Sequence, residues 1–464
     1  MRNFLAILFL WPTLSPAGAE TPFQDVLIEG VPHVKQKPDF CGEACVEMWA
    51  GKLKKKISQD AVFNASGLDP LLGRGCYAPE LGKTLQQLGF NVGAGWFKAD
   101  PTQPEITVAR CWQDLHADLV KGVPSIVCMM PDENVKSIGH FRLILGYQAA
   151  SDEVVYHEPA ETNDAYHRMK REKFLKLWLL EKEMVIRFRL EPREVKDAPA
   201  TEGFTAADYC QRMMEERARA NGEKFFYAVE PPFVVMNDQS PALLQMYSSR
   251  TVKWAAERLK QDYFKKDPDA VIAVWLFGGK ESYEKHTKAF FQQTPTTPFG
   301  FYSSEHRALI MNIATGGGTL VHEIVHPFMA ANFPDCPAWF NEGMGSLYEQ
   351  SDERNGHIIG RTNWRLAGLQ EAIGKKKVPS FETLTGMDSH QFYSEDRGTN
   401  YAQARYLCFY LQEKNLLVKY YHAFVAARAK DPTGYQTLKT ILDEKDMDAF
   451  QKRWEEYVLG LRFP

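Results

Sequence analysis

The stretch TLVHEIVHPF, residues 319–328, decides how the second half of this chain is interpreted. His322 and His326 are four residues apart on a segment whose apolar spacing is typical of a helix, so both imidazoles project from one face. Two histidines in this arrangement can bind one tetrahedral Zn²⁺ at about 2.0–2.1 Å each. Glu323, between them, can act as the general base that takes a proton from an attacking water. The stretch therefore predicts a zinc site.

A proline directly after the second histidine tests this interpretation. Pro327 has no amide hydrogen for the carbonyl of Glu323, and its ring crowds that carbonyl. Because the lost hydrogen bond lies after the histidine pair, we expect a kink in the helix and intact pairing of the two imidazoles.

A catalytic zinc also needs a third protein ligand and an open fourth position. The pattern with Gly and His three and six residues after the second histidine is absent, because Met329 and Asn332 stand there. The chain turns instead at FPDCP and begins a second predicted helix, AWFNEGMGSLYEQ, which carries Glu342 one turn in. Asp335 is the alternative ligand, although its position suits a helix cap. We expect Glu349, on the face of Glu342, to orient a ligand without binding the metal.

The segments GGGTLVHEIVHPF and PAWFNEGMGSLYE together resemble the gluzincin metallopeptidases, in which His-Glu-x-x-His precedes a helix with Asn-Glu-Gly. The resemblance covers about 205–464 and includes the strand-like run RALIMNIA. It implies that the two histidines and Glu342 are zinc ligands and that Glu323 is the base. It also implies that Tyr401, in YAQARYLCFYL, contacts the oxyanion, with an ordinary aromatic residue at a helix start as the alternative. A zinc-free helix pair is the alternative to the whole site.

The first half carries a cysteine pattern, VKQKPDFCGEACVEMWAG. Apolar residues at i, i+3, i+4, i+7 and i+8 from Cys41 predict a helix with one apolar face. Cys41 begins this helix, where the dipole and the free N–H groups lower a thiol pKa and stabilise the thiolate. The pattern thus favours Cys41 as a nucleophile. It is equally compatible with Cys41 and Cys45 as small core residues or disulfide partners.

A cysteine nucleophile needs a base, and His140 is the best candidate. The runs HFRLILGY and EVVYHEP predict a hairpin that places Glu158 opposite His140, or two positions diagonal on the same face. Glu158 would then orient the imidazole as the third member of the set. His116, His157 and His167 lack this arrangement.

These features resemble papain-like cysteine peptidases of the bacteriocin-leader-processing type, over about 24–192. The resemblance rests on Gln36, on Cys41 and the glycine after it, on His140 and the glycine before it, and on the HEP segment. It implies that Gln36 contributes to the oxyanion hole and that Cys41 is the nucleophile. The chain departs from the pattern in having Glu158 where an aspartate is usual and four residues between Gln36 and Cys41 in place of five. A degenerate binding domain is the alternative.

Targeting and domain signals frame the two halves. Residues 1–19 combine a positive start, a short apolar run and an A-x-A cleavage signal, which predicts a signal peptide and a periplasmic or secreted protein. The segment EPREVKDAPATEGFT predicts a linker at 193–204, between domains at 20–192 and 205–464. Helices followed by strands, and then strands followed by a mostly helical end, predict a multidomain α+β fold, papain-like and then zincin-like.

Composition limits the partners. The 464 residues carry a net charge of −4 without a sustained basic stripe, which argues against nucleic acid. Beyond the signal peptide, no segment approaches the about 20 apolar residues that span a bilayer. Eight cysteines in this length are no disulfide scaffold, and their pairing and the oligomeric state stay open.

The sequence therefore predicts an exported peptidase acting on peptides or proteins, with Zn²⁺ chemistry in the second half and cysteine-peptidase chemistry in the first. A zinc-independent binding or scaffold protein is the alternative from another class. A third possibility makes the cysteine half an amidase or transferase on cell-wall peptides. Because each residue set is complete within its half, we expect 20–195 and 200–464 to fold separately.

Overall fold

A computed structural model gives the fold of most of the chain. The described residues are 23–133, 139–162, 165–180, 183–295 and 297–463, without the side chain of Arg397. The predicted signal peptide at 1–19 lies outside them. Within the described residues, no helix combines the length and apolarity needed to cross a bilayer.

The chain forms two compact units. One comprises the residues up to Gly67 and Gly75–Pro199, and the other comprises Leu68–Arg74 and Ala200–Pro464. Both mix helices and strands, so the predicted multidomain α+β class is confirmed.

The first unit is built on a seven-stranded antiparallel sheet in the order β3-β8-β4-β5-β6-β7, with β1 also pairing with β5 and a separate β2–β9 pair. Its strands are β1 (Val26–Leu27), β2 (Phe90–Asn91), β3 (Gly95–Lys98), β4 (Ser125–Met129), β5 (His140–Gln148), β6 (Glu153–His157), β7 (His167–Lys170), β8 (Met184–Arg189) and β9 (Glu191–Pro192). Its helices are α1 (Cys41–Lys52), α2 (Gln59–Ser66), α3 (Ala78–Gln87), α4 (Pro104–Val120) and α5 (Arg171–Trp178).

The β5–β6 pairing fixes the geometry of the cysteine half. Leu143 lies opposite His157. One further step along this register places Glu158 across from Arg142, so His140 is two positions away on the same face. The structure thus has the diagonal one of the two predicted arrangements.

The predicted linker at 193–204 is ordered over its first part. The amides of Arg193 and Glu194 both donate to the carbonyl of Gly89, and Val195 is buried. The boundary between the units follows Pro199. A single buried valine in a polar segment gives no periodic signal, which is why the sequence reads as a linker throughout.

The second unit is built on a five-stranded sheet in the order β10-β11-β12-β14-β13. The central strands β11, β12 and β14 are parallel and buried on both faces, whereas the edge strands are antiparallel. Its strands are β10 (Phe226–Glu230), β11 (Phe233–Asn237), β12 (Ile272–Phe277), β13 (Gly300–Ser303), β14 (Ala308–Asn312) and the hairpin β15 (Ser351–Arg354) and β16 (His357–Gly360).

Helices cover both faces of this sheet and form the C-terminal part, as predicted. One core cluster lies on the side of α8, α10, α11 and α15, and another on the side of α6 and α9. The helices are α6 (Ala206–Ala220), α7 (Pro241–Tyr247), α8 (Trp254–Asp262), α9 (Lys280–Phe291), α10 (Gly318–Asn332), α11 (Ala338–Leu347), α12 (Arg365–Gly374), α13 (Phe381–Gly386), α14 (Ser389–Ser394), α15 (Arg397–Glu413), α16 (Leu417–Ala427), α17 (Tyr435–Leu442) and α18 (Met447–Gly460), with a π-helix at Ser248–Lys253.

A short piece of the first sequence half belongs to the second unit. The Arg217 guanidinium, on α6, donates to the carbonyls of Leu71 at 2.6 Å and Leu72 at 2.8 Å. Gly73 has a φ of +59°, and a Cβ there would lie 2.9 Å from Arg217 Nη1. The fragment 200–464 would lack this segment, and the separate folding of the two halves stays a prediction.

We predict that Arg217→Met loosens residues 68–74. Two hydrogen bonds from a charged donor stabilise this segment by about 1–3 kcal/mol. Limited proteolysis of the full chain should cut the variant within 68–74 faster than the wild type. Arg354→Met, at an exposed ion pair of 3.8 Å, is the control and should not change cutting there. Equal cutting of all three proteins would contradict the anchoring role.

Candidate functional site

The second unit brings the predicted metal ligands together. The ligand atoms of His322 and His326, on α10, and Glu342, on α11, all lie within 4.8 Å of one another. His322 Nε2 is 3.2 Å from Glu342 Oε2. Two ligands of a tetrahedral zinc are about 3.3 Å apart, so this pair fits a shared ion. Helix α10 continues through Pro327 to its end.

The alternative ligand, Asp335, does not belong to the three-residue cluster. It is no helix cap either, because Pro337 occupies the N-cap position of α11. Arg428 Nε donates to the main-chain carbonyl of Asp335 at 2.8 Å. Within the described residues, Glu342 is thus the third potential ligand.

Each histidine has an oxygen atom near its Nδ1, on the side away from the cluster. His322 Nδ1 lies 3.3 Å from Glu349 Oε1, as expected for an orienting carboxylate. His326 Nδ1 donates to Asn341 Oδ1 at 3.1 Å. Each contact leaves Nε2 for a metal, the usual arrangement for ligating histidines. The Asn-Glu-Gly motif was recognised in the sequence, but the contact of Asn341 with His326 was not predicted.

The charge around the site suits a cation. Burial opposes protonation of His322, yet the nearby carboxylates of Glu342 and Glu349 raise its pKa well above the usual range. Burial also opposes ionisation of Glu342, but the His322 contact and the other charges lower its pKa to about 2. Glu342 Oε2 is buried and makes no hydrogen bond to the described residues. Its free lone pairs and the local negative charge are what a divalent cation requires.

Glu323 has the properties of a base at this site. It lies on the wall of a cavity of about 780 Å³ that also contains the three ligands. Burial raises its pKa, and the neighbouring histidines offset this in part. A carboxylate with a raised pKa is better able to hold a proton near neutral pH.

Two tyrosines lie on the same cavity wall. The ring of Tyr401 packs 5.3 Å from the guanidinium of Arg365. The hydroxyl of Tyr393, on the six-residue helix α14, donates to Glu342 Oε1 at 2.7 Å. Sequence reasoning missed Tyr393, because so short a helix has no periodicity and only the folded chain brings it to α11.

In the first unit, the helix that begins with Cys41 packs against the strand that begins with His140. Cys41 begins α1, and the backbone N–H groups of Phe141 and Gly42 form hydrogen bonds with its thiol. Phe141 directly follows His140, which begins β5. The Nε2 atom of His140 bonds to Glu158 Oε1. The fold therefore places the thiol next to the start of β5 and the imidazole on its predicted carboxylate.

Glu158 has a second cationic partner that sequence reasoning missed. Arg142 Nε donates to Glu158 Oε2 at 2.5 Å. Burial would raise the pKa of Glu158, but the bonds to His140 and Arg142 lower it to about 2. Arg142 also reaches the carbonyls of Met130 and Pro131 at 3.4 Å each. Its signal in the sequence was its place two residues after His140, on the same strand face.

Gln36 is held beside the same segment. Its backbone N–H donates to the carbonyl of Pro159 at 2.8 Å. Its side-chain Oε1 is buried and makes no hydrogen bond to the described residues. The oxyanion role of Gln36 stays a prediction.

The expected low pKa of the Cys41 thiol is wrong for this structure. Burial raises it to about 12, and the charges of Glu43 and Asp39 add to the effect. The hydrogen bonds from Phe141 and Gly42 lower it, but by less. Cys41 is a free thiol, as are the other seven cysteines, so it is not paired with Cys45.

Comparison with known families agrees with the papain-like fold predicted for the first half of the chain. Residues 28–184 match the model of the Peptidase_C39 like family, which supports a papain-like, peptidase-type N-terminal half. Residues 316–431, which include the histidine–glutamate cluster, match a family described as a protein of unknown function (DUF1570). That description carries no information on metal or activity. No curated protein matches the chain.

We predict that alkylation of Cys41 in the full chain accelerates about tenfold per pH unit between pH 7 and 10. The thiolate is the reactive form, and a pKa of about 12 keeps its fraction rising throughout that range. Peptide mapping after timed iodoacetamide treatment measures the rate. Cys336, the other partly exposed thiol, has a pKa well above the usual value and should react more slowly. A plateau between pH 5 and 8 that His140→Ala removes would instead reveal a thiolate–imidazolium pair.

Proposed function

We propose that this protein is an exported hydrolase whose C-terminal half is a zinc-dependent peptidase and whose N-terminal half has cysteine-peptidase chemistry. The observation that carries the proposal is the convergence of His322, His326 and Glu342, with an oxygen 3.3 Å from Nδ1 of the first imidazole and 3.1 Å from Nδ1 of the second. Incidental histidines would not need orienting acceptors on the side away from the cluster.

The residues of the chain account for the proton transfers of amide hydrolysis. His322, His326 and Glu342 would hold a zinc ion, which would supply a Lewis acid for the scissile carbonyl and for the attacking water. Glu323 takes the water proton and delivers it to the leaving nitrogen, as its raised pKa allows. A tyrosine hydroxyl on the cavity wall donates to the developing oxyanion, and Tyr401 is the candidate.

A peptide substrate fits the surroundings of the cluster. The cavity is lined by residues of β13, which ends the order of the five-stranded sheet. An extended peptide can add to such an edge through main-chain hydrogen bonds. This supports hydrolysis of peptide bonds over that of small esters.

For the cysteine half, we propose attack by the Cys41 sulfur on an acyl carbon. His140 takes the thiol proton and passes it to the leaving group, and Glu158 orients the imidazole. The Peptidase_C39 like match supports this chemistry. The raised pKa of Cys41 is the observation that favours the alternative, a peptide-binding domain without turnover.

We predict one zinc ion per full-length chain, measured by metal analysis after dialysis. His322→Ala or Glu342→Ala should lose the metal, because two ligands no longer hold it tightly. Glu323→Gln should keep the metal and lose about 10²–10⁴-fold in peptide turnover. His422→Ala, at an exposed histidine, is the control and should change neither. Full zinc occupancy in a His322→Ala, His326→Ala double variant would refute the site.

We predict different defects for the two tyrosines. Tyr401→Phe should lower kcat about 10²–10³-fold at unchanged zinc content, since it removes an oxyanion donor. Tyr393→Phe should weaken zinc affinity about 10–100-fold, since its hydroxyl bonds to the ligand Glu342. Competition with a chelator measures affinity, and peptide assays at saturating zinc measure kcat. The reverse pattern would assign the oxyanion role to Tyr393.

A further inference from the structure

The metal cavity continues into a second cavity of about 650 Å³. The two share four lining residues, Phe299, Thr319, Glu349 and Trp364. Along α10, Gly318 and Val321 line only the second cavity, Thr319 lines both, and the lining residues from His322 onward line only the first. The two cavities are therefore successive parts of one cleft that follows this helix.

The cleft extends on both sides of the metal ligands. Gly318 lines one end and Ala330 the other, about 18 Å apart at 1.5 Å per helical residue. His322 and His326 lie around the middle, which leaves about 9 Å in each direction. An extended peptide advances about 3.3 Å per residue, so about three residues fit on either side of the cleaved bond.

Two exposed aromatic side chains stand where the two cavities meet. Phe299 is 46% exposed and Trp364 is 51% exposed, high values for apolar side chains of this size. Phe299 directly precedes β13 and Trp364 directly precedes α12, so both are placed by ordered elements. Thr319, which lines the same junction, is about one helical turn before His322. We call Phe299 and Trp364 the aromatic pair.

Glycines form one part of the wall beyond the aromatic pair, although Arg250 and Trp254 also line the second cavity. Gly316 and Gly317 line the second cavity. A Cβ at Gly316 would meet nothing within 4 Å, and one at Gly317 would meet nothing closer than 3.8 Å. The space beside Gly316 and Gly317 can therefore take a large substrate side chain that extends beyond the aromatic pair.

We propose that the cleft is that of an endopeptidase selecting a bulky apolar side chain, aromatic or large aliphatic, held by Phe299 and Trp364 beside the scissile bond. This inference rests on the proposed zinc peptidase function. The occupant is the substrate peptide itself, because the aromatic pair borders the cavity that contains the metal ligands. Apolar rings exposed at such a junction lose contact with water when a side chain covers them.

The test uses full-length, zinc-loaded protein and internally quenched decapeptides that carry either Phe or Ala at each position around a central bond. Mass spectrometry should show internal cuts next to Phe. Phe299→Ala and Trp364→Ala should each lower kcat/KM for the Phe peptide about 10–100-fold and that for the Ala peptide less than about 3-fold. Phe463→Ala is the matched control, at an aromatic residue 42% exposed and outside both cavities, and should change neither.

A second readout does not need turnover. In the Glu323→Gln variant loaded with zinc, the Phe peptide should bind at least about tenfold tighter than the Ala peptide, and Trp364→Ala should remove the difference. Gly317→Leu, which fills the second cavity at an ordinary φ, should weaken binding of the Phe peptide more than that of the Ala peptide.

The outcomes separate the two proposals. Removal of terminal residues only would overturn the two-sided cleft, and equal losses for both peptides would overturn the selective role of the aromatic pair. Selective binding by a zinc-loaded wild type that cleaves no peptide would refute the peptidase function while supporting the apolar subsite. If the protein showed no preference for the Phe peptide in either binding or cleavage, the inference would be overturned outright.

Discussion

The cluster of His322, His326 and Glu342 depends on one buried carboxylate, that of Glu349, two residues after the end of α11. It accepts from Arg365 at 2.7 and 2.9 Å and from Asn363 at 3.0 Å, and it lies 3.3 Å from His322 Nδ1. Burial alone would raise the pKa of Glu349, but these partners lower it to about 2. An unpaired charge at this depth would cost several kcal/mol, which Arg365 offsets. The imidazole of His322 thereby faces a carboxylate that is itself fixed and ionised.

The first unit applies the same physical solution in an unrelated fold. Glu158 is a buried carboxylate kept ionised by Arg142, and its other oxygen holds the imidazole of His140. In both units an arginine stabilises the charge of the acid, so the acid can fix a histidine without taking its proton. The two histidines differ in their surroundings: His322 belongs to a cluster of potential metal ligands, whereas His140 directly precedes Phe141, whose backbone acts on the Cys41 thiol.

Sequence reasoning succeeded where the geometry is local. The spacing of two histidines on a helix and the diagonal of a hairpin are set by backbone periodicity, so Glu158 was placed correctly next to its histidine. It failed where distant segments meet, as with Tyr393 on Glu342. The pKa of the Cys41 thiol shows how a local effect competes with a tertiary one. A helix start lowers its pKa through neighbouring N–H groups, but tertiary burial is the larger effect, and no local pattern reports it.

Three glycines of the GGGTLVHEIVHPF and PAWFNEGMGSLYE segments lie where other parts of the chain approach closely. A Cβ at Gly318, the start of α10, would overlap the carbonyl oxygen of Glu349. A Cβ at Gly345, on α11, would lie 3.0 Å from His322 Nε2, in the space that a metal ligand needs. On the opposite side of α11, a Cβ at Gly343 would lie 3.1 Å from a carbonyl oxygen of α15. Helix α11 is thus packed closely between α10 and α15. Its glycines determine how near Glu342 comes to the histidines. The motif therefore specifies a distance between helices as much as a set of ligands.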